Sequence, residues 1–297
     1  MFKNVIQSST GCTSACSFCV VHRCLPGGQR ARIYCNPKDN IAKQLAMFAD
    51  YGGGRFFDCA DSFGEDLEHT YGIVLPQYAD YPGGWITEAK ISVLKGEDGK
   101  WQLLKAMAKA GNILTYVGLE DIFRKFTSKQ VPITDAEEFI RVCRDEGIIP
   151  AGALILVGAP DAQKEDISRT IKWICANKID VQFSLISALE SSALWSKAAK
   201  AGTLIDICPE NTDGAWSQVD HPNMSAKFLL DSLEKCYREC YSLPEIFSRL
   251  RARGFSRYSI IAALAGVGVH ISAKTWFKDH NYYYWLDHRI LPNPSHL

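Results

Sequence analysis

From residue 3 to about residue 190, short apolar runs alternate with stretches whose apolar residues recur at helical spacing. This is the pattern of strand and helix units that build a parallel sheet or barrel. The runs predict strands over Lys3–Gln7, Arg55–Cys59, Trp85–Ala89, Asn112–Gly118, Ile148–Val157 and Val181–Ile186. Helices are expected over Asp39–Asp50, opened by Pro37 and stopped before Gly52-Gly53-Gly54, and from Glu65–Tyr71 onward. Three more are expected over Lys100–Ala110 ended by Gly111, Asp135–Glu146 after a cap at Thr134, and Glu165–Ala176. Six such units imply an α/β chain, an open partial (β/α)6 barrel, with its site at the C-terminal ends of the strands and an open side for a large substrate. From Ser191 onward the chain turns helical and aromatic. The expected division is therefore a partial barrel over 1–190 and a mainly helical, aromatic-rich C-terminal extension over 191–297. The longest apolar stretch, Tyr258–Ile271, contains Gly266 and Gly268 and is shorter than the ~20 residues a membrane span needs, so it is read as a buried helix and loop.

The 297 residues carry a formal net charge of zero and are 47% hydrophobic, enough for a substantial core and without bulk attraction to nucleic acid or membrane. The 11 cysteines, several too close together to pair, fit a reduced cytoplasmic protein, and the N-terminus has no apolar signal core.

The densest chemistry lies in Gly11-Cys12-Thr13-Ser14-Ala15-Cys16-Ser17-Phe18-Cys19. Three thiolates in one short loop can hold three irons of a 4Fe-4S cube and leave the fourth iron open to a small molecule. Thr13, Ser14, Ala15 and Ser17 are small enough for backbone to approach the sulfides, and Phe18 suits a flat ligand beside the loop. The alternatives are a structural zinc site completed by His22, a four-cysteine electron-transfer cluster completed by Cys24 or Cys35, and a disulfide.

The CxxxCxxC spacing with an aromatic before the last cysteine resembles the signature of the radical SAM superfamily. Beyond that loop, Phe57–Phe63 resembles the DDxF segment of the family's cobalamin-associated branch, with Ala60 replacing the first aspartate. Val117-Gly118-Leu119-Glu120 is similar to its GLES segment, with Asp121 for the serine, and Leu156–Pro160 to its fifth-strand glycine turn. The stretch Trp216–Tyr241, including His221-Pro222-Asn223-Met224-Ser225, is similar to the branch's C-terminal region. Relatives of this branch usually carry a cobalamin-binding domain before the barrel, whereas here the cysteine loop begins at residue 12 and no DxHxxG motif occurs, so the expectation is either a protein that works without cobalamin or a shortened form of the sequence.

The resemblance implies S-adenosylmethionine chelating the open iron through its amino and carboxylate groups, and reductive cleavage to methionine and a 5′-deoxyadenosyl radical that abstracts hydrogen from an organic substrate. A small-molecule or peptide substrate and a donor such as flavodoxin or ferredoxin are the expected partners. Cobalamin supplied from elsewhere, for methyl transfer or rearrangement, is the second reading; a non-catalytic zinc or iron-sulfur protein is the third. At the strand ends, Asp61 could accept from the ligand's ammonium or cap a helix, and Glu120 could bind ribose hydroxyls or remain a loop carboxylate. Gly158 leaves room for adenine or makes a turn, and Ser187 with Ala188 could meet the adenine edge.

Outside the loop, the C-terminal extension could cover the site, and its aromatic cluster Trp276, Phe277, Tyr282, Tyr283, Tyr284 and Trp285 could line a pocket for an apolar or planar substrate or seal the barrel or an oligomer interface. Cys236 and Cys240, one helical turn apart, suit a second cluster or a buried helix face, and Cys143 and Cys175 suit helix interiors. Arg30 and Arg32 suit a bound carboxylate or solvent.

Overall fold

In the computed structural model, residues 4–21, 33–123, 131–155, 159–205 and 214–279 are described. The chain opens with β1 (Asn4–Ile6), β2 (Ser9–Thr10) and β3 (Tyr34–Cys35), then α1 (Lys38–Asp50) and β4 (Phe56–Asp58). A helical segment, α2 (Leu67–His69), a π-turn (Thr70–Val74) and α3 (Leu75–Ala79), leads to β5 (Trp85–Ala89), α4 (Ile91–Lys95), α5 (Gln102–Lys109) and β6 (Asn112–Gly118). Next come α6 (Ile133–Asp145), β7 (Ile149–Ile155), α7 (Lys164–Asn177), β8 (Asp180–Ser184) and α8 (Ala193–Ala201). The chain continues as α9 (Ala226–Cys240), α10 (Leu243–Arg253) and α11 (Arg257–Asp279).

The sheet order is β1-β4-β5-β6-β7-β8, with β1/β4, β4/β5 and β5/β6 parallel. The expected α/β class with six strand units and a helical C-terminal region is therefore observed. The predicted strands Trp85–Ala89 and Asn112–Gly118 coincide with β5 and β6; those over Lys3–Gln7 and Arg55–Cys59 lose one residue at each end, that over Val181–Ile186 is shifted to Asp180–Ser184, and within the described residues that over Ile148–Val157 begins at Ile149.

Two departures have local causes. The helix expected from Glu65 onward passes through a π-turn, because Pro76 has no N–H and its ring clashes with the carbonyl four residues before it. The stretch Tyr258–Ile271, expected as a buried helix and loop, is instead the first part of one continuous helix, α11. One face of α11 packs on α9 and α10, where Gly266 lets Ile246 approach, while Ile260, Leu264 and Ile271 are exposed. The two glycines cost helix propensity without breaking it.

By contact density the chain forms two compact units. The first holds residues up to Ala15, Val21–Gly118 and Thr134–Gly152; the second holds Cys16–Val20, Leu119–Ile133 and Ala153 onward. The first unit's core is aromatic: Phe56 meets Tyr78 and Tyr81 edge-on at 4.8 and 5.2 Å, and Trp85 lies between Tyr78 and Phe63 with its indole N–H on the Ala110 carbonyl at 2.7 Å.

In the second unit, α9 and its C-cap residue close β8 with two tyrosines. The Tyr241 hydroxyl accepts from Val181 N–H at 3.0 Å and donates to the Val181 carbonyl at 2.8 Å. One helical turn earlier, Tyr237 does the same for Phe183 at 3.1 and 2.9 Å, its ring edge-on to the phenylalanine. Backbone groups at a sheet edge that would otherwise face nothing are thereby satisfied.

Candidate functional site

The cysteine loop leaves β1 at the C-terminal end of the sheet. A small antiparallel ribbon holds its base, with Ser9 opposite Cys35 and Thr10 opposite Tyr34. Asn36 adds two bonds, its N–H to the Ser8 carbonyl and its side-chain amide to the Gln7 carbonyl, both at 2.9 Å. Neither short strand has enough residues to show an alternating pattern, so the ribbon is invisible to periodicity.

Four side chains from the first unit organise the start of the loop. Asp58, at the end of β4 and fully buried, accepts from Ser8 N–H at 3.0 Å, Ala60 N–H at 3.1 Å and the Tyr78 hydroxyl at 2.8 Å. Burial pushes its carboxyl above the ordinary value, although all three hydrogen bonds oppose the rise. Asp61 accepts from Gly11 N–H at 2.7 Å, fixing the residue before Cys12. The helix cap that Asp61 was an alternative for is made by Asp66, which accepts from His69 N–H at 2.9 Å.

Lys90 and Glu65 form a buried ion pair, their side chains only 7% and 2% exposed. Lys90 Nζ also donates to Thr13 Oγ1 at 2.6 Å and Ser14 Oγ at 3.3 Å. Glu65 accepts from Thr13 Oγ1 at 2.7 Å and from the Cys12 thiol at 3.7 Å. Burial raises the Glu65 carboxyl, but the hydrogen bonds from Lys90 and Thr13 and the Lys90 charge bring it below the ordinary range.

Cys16 and Cys19 belong to the second unit, in a turn closed by Cys19 N–H on the Cys16 carbonyl at 3.1 Å. Leu194 N–H holds the Ser17 carbonyl at 2.7 Å, setting the backbone that carries the half-buried Phe18. Among the described residues no three Cys, His, Asp or Glu side chains are gathered closely enough to hold one ion. Cys12, Cys16 and Cys19 are not joined in disulfides. In kind, however, this donor set suits an iron-sulfur cluster with one open iron. Cys35, a candidate fourth ligand, gives its thiol to Asp66 at 3.6 Å and is pushed up to about 11, by burial first and Asp66 second.

Also in the second unit, Leu119 and Glu120 both donate N–H to the Ala153 carbonyl, at 2.8 and 3.3 Å. Glu120 is buried and left-handed, φ 53°, a conformation that costs a non-glycine residue about 1 kcal/mol and concentrates at functional sites. Ser187 Oγ is buried without a hydrogen-bond partner, a polar atom left over by the fold and suited to a ligand. Gly158, His22, Cys24, Arg30, Arg32 and the aromatics Tyr282, Tyr283, Tyr284 and Trp285 lie outside the described residues. The backbone at Trp276 and Phe277 continues α11. Cys236, Cys240 and Cys143 are buried on helices, as the helix-interior alternative expected.

Asp58, Glu65 and Lys90 escaped the sequence reading. Their signal was present: an aspartate closing the apolar run Phe56-Phe57, and a lysine directly after the apolar strand Trp85–Ala89.

No protein-family model and no curated protein matches the sequence. Solved structures do. TsrM from Kitasatospora setae, a radical S-adenosylmethionine methyltransferase with tryptophan substrate and the SAM analog aza-SAM bound, matches with a TM-score of 0.56 and 18% identity, covering 69% of this chain and 40% of that one. Apo OxsB, a cobalamin-dependent S-adenosylmethionine radical enzyme, matches with a TM-score of 0.58 and 11% identity, covering 91% of this chain and 46% of that one. The chain spans less than half the length of either. It carries the fold of the radical S-adenosylmethionine enzymes.

Proposed function

We propose that this chain is a radical S-adenosylmethionine enzyme. The observation that carries the reading is a CxxxCxxC loop leaving the first strand of a six-stranded sheet that shares its fold with TsrM and OxsB. Cys12, Cys16 and Cys19 would hold a 4Fe-4S cluster, and Phe18, Asp61, Glu120, Gly158 and Ser187 would surround S-adenosylmethionine. When bound, the cluster supplies the electron that breaks the sulfonium C–S bond, giving the 5′-deoxyadenosyl radical that takes hydrogen from the substrate.

The chain's own residues prepare that chemistry. Asp61 and Asp58 fix the backbone entering Cys12, and the Lys90–Glu65 pair anchors Thr13 and Ser14. Glu120, buried with a left-handed backbone, and Ser187, whose buried hydroxyl has no hydrogen-bond partner, are the polar groups offered to the ligand from the second unit. The substrate is a small molecule or peptide, the donor a flavodoxin or ferredoxin, and the setting cytoplasmic. The described residues include no helix long and apolar enough to cross a membrane.

Anaerobic reconstitution with iron and sulfide tests the reading. The expected result is a brown protein that, once reduced, converts S-adenosylmethionine to 5′-deoxyadenosine and methionine, with both properties lost in the Cys12→Ala/Cys16→Ala/Cys19→Ala variant. A colourless protein that holds only zinc would falsify it. A second reading, cobalamin-dependent methyl transfer or rearrangement, is favoured by OxsB being cobalamin-dependent and TsrM a methyltransferase. Turnover that requires added cobalamin selects it over the first.

A further inference from the structure

One motif, His221-Pro222-Asn223, has no part in the chemistry above. It belongs to a strap, residues 214–224 of the second unit, that is hydrogen-bonded to the exits of β7 and β8, neighbouring strands of the sheet. At β8, the Gly214 carbonyl accepts from Leu185 N–H, and Gln218 N–H donates to the Ile186 carbonyl at 3.3 Å. At β7, His221 Nε2 bonds the Ala159 carbonyl at 3.0 Å, and the Asn223 side-chain amide donates to the carbonyls of Pro160 at 3.4 Å and Ala162 at 3.2 Å. Gln218 and His221 are three residues apart, so their Cα atoms are separated by at most about 11 Å. One short piece of chain therefore holds both strand exits within reach of a single small molecule.

The chemistry of His221 separates its two contacts. A carbonyl can only accept, so Nε2 carries the ring hydrogen, and Nδ1 accepts from Asn223 N–H at 3.2 Å. One tautomer serves both. The Ala159 carbonyl also takes Ala162 N–H at 3.0 Å, closing the turn that leads into α7. These bonds fix position more than they add stability, because Pro160 and Asn223 are exposed, where water serves such groups nearly as well. Directly after the other anchor, Ile186, comes Ser187, whose buried hydroxyl has no partner. A strap that locates two neighbouring turns, one of them beside an unsatisfied hydroxyl, is suited to hold a ligand there.

We propose, resting on the functional reading above, that His221 is a positioning residue for the nucleoside end of S-adenosylmethionine. It acts through the Ala159 carbonyl, while Gln218 holds the backbone that carries Ser187. The cysteine loop would hold the methionine end, and the strap would set the other end. Loss of the His221–Ala159 bond therefore weakens a ligand that carries the nucleoside and leaves free methionine unaffected.

The test uses the full-length chain reconstituted with iron and sulfide, and measures equilibrium binding of S-adenosylmethionine, 5′-deoxyadenosine and L-methionine. His221→Gln keeps a donor at the Nε2 position, and His221→Asn keeps an acceptor at the Nδ1 position, so each variant removes one of the two contacts. His221→Asn is expected to raise the Kd of the two nucleoside-bearing probes about tenfold, the loss of about one hydrogen bond. His221→Gln should stay within about twofold, and methionine binding and iron per chain should be unchanged in both. In the chain without its cluster, Ala162 N–H should exchange faster in His221→Asn alone. Equal losses in the two variants, equal losses for methionine and the nucleosides, or unchanged nucleoside binding in His221→Asn would overturn the proposal. An unsubstituted chain that takes up neither cluster nor S-adenosylmethionine overturns the functional reading and this proposal with it; one that binds both, with His221→Asn binding them equally well, overturns the proposal alone.

Discussion

Asp58 provides the sharpest test of how the cysteine loop is held. Its carboxylate accepts three hydrogen bonds in full burial, two through Oδ1 from the N–H groups of Ser8 and Ala60 and one through Oδ2 from Tyr78. Asp58→Ala strands all three donors. Taking about 1–2 kcal/mol for each, the low part of the range because the vacated space can admit a water, the loss is about 3–6 kcal/mol. Asp58→Asn behaves differently, because its carbonyl can keep both backbone N–H groups while its amide donates to the Tyr78 hydroxyl, which can accept as well as donate. That variant is expected to stay within about 1 kcal/mol of the unsubstituted chain.

The assay is urea unfolding followed by tryptophan fluorescence, at constant m-value. The pH dependence gives an independent check. Burial raises the folded carboxyl above its unfolded value, so Asp58 contributes most when protonated, below the unfolded pKa, and its contribution falls as pH rises toward the folded pKa. The difference between the two chains should therefore shift in favour of Asp58→Asn over that interval and then stay flat. An Asn variant as unstable as the Ala variant would show that the negative charge, not the hydrogen-bond geometry, holds the turn, and would refute this reasoning.

Lys90→Met leaves Glu65 buried without its cation and is expected to cost about 3–5 kcal/mol in the same assay. Because the Glu65 carboxyl lies below its ordinary value, the stability it gives is present above the unfolded pKa and lost as pH falls through the folded one; this acid limb should vanish in Lys90→Met. Tyr237→Phe and Tyr241→Phe should each cost about 1–3 kcal/mol and speed hydrogen exchange at Phe183 and Val181 respectively, with β5 amides unaffected.

Much of the fold was legible because its signals are local. Trp85–Ala89 and Asn112–Gly118 are short apolar runs each preceded by a glycine, and their strands occur where the pattern places them. Helix ends followed Pro37 and Gly111 for equally local reasons. Tyr258–Ile271 was misread because apolar content does not say whether a neighbour exists to cover every face. In the site, the cysteine loop announced itself by spacing, and Glu120 by its place after a strand. Lys90 did not, since its partners Thr13 and Ser14 lie 77 and 76 residues away in sequence and only the parallel sheet brings them together. The same holds for Asp58 and Ser8, 50 residues apart.

The tyrosine pair at the C-terminal end of α9, Tyr237 in its last turn and Tyr241 at its C-cap, works as a ruler. Four residues of helix advance about 6 Å, and two residues of strand about 6.6 Å, so phenols at Tyr237 and Tyr241 nearly match the repeat of Phe183 and Val181. The match holds for one repeat and drifts by about 0.6 Å with each further one, so two contacts are close to the natural limit. Sliding the helix by a single residue would rotate both hydroxyls off the strand. The last strand is thus not merely covered but indexed, and the sheet ends where a side-chain gauge, rather than another length of backbone, has taken its outer hydrogen bonds.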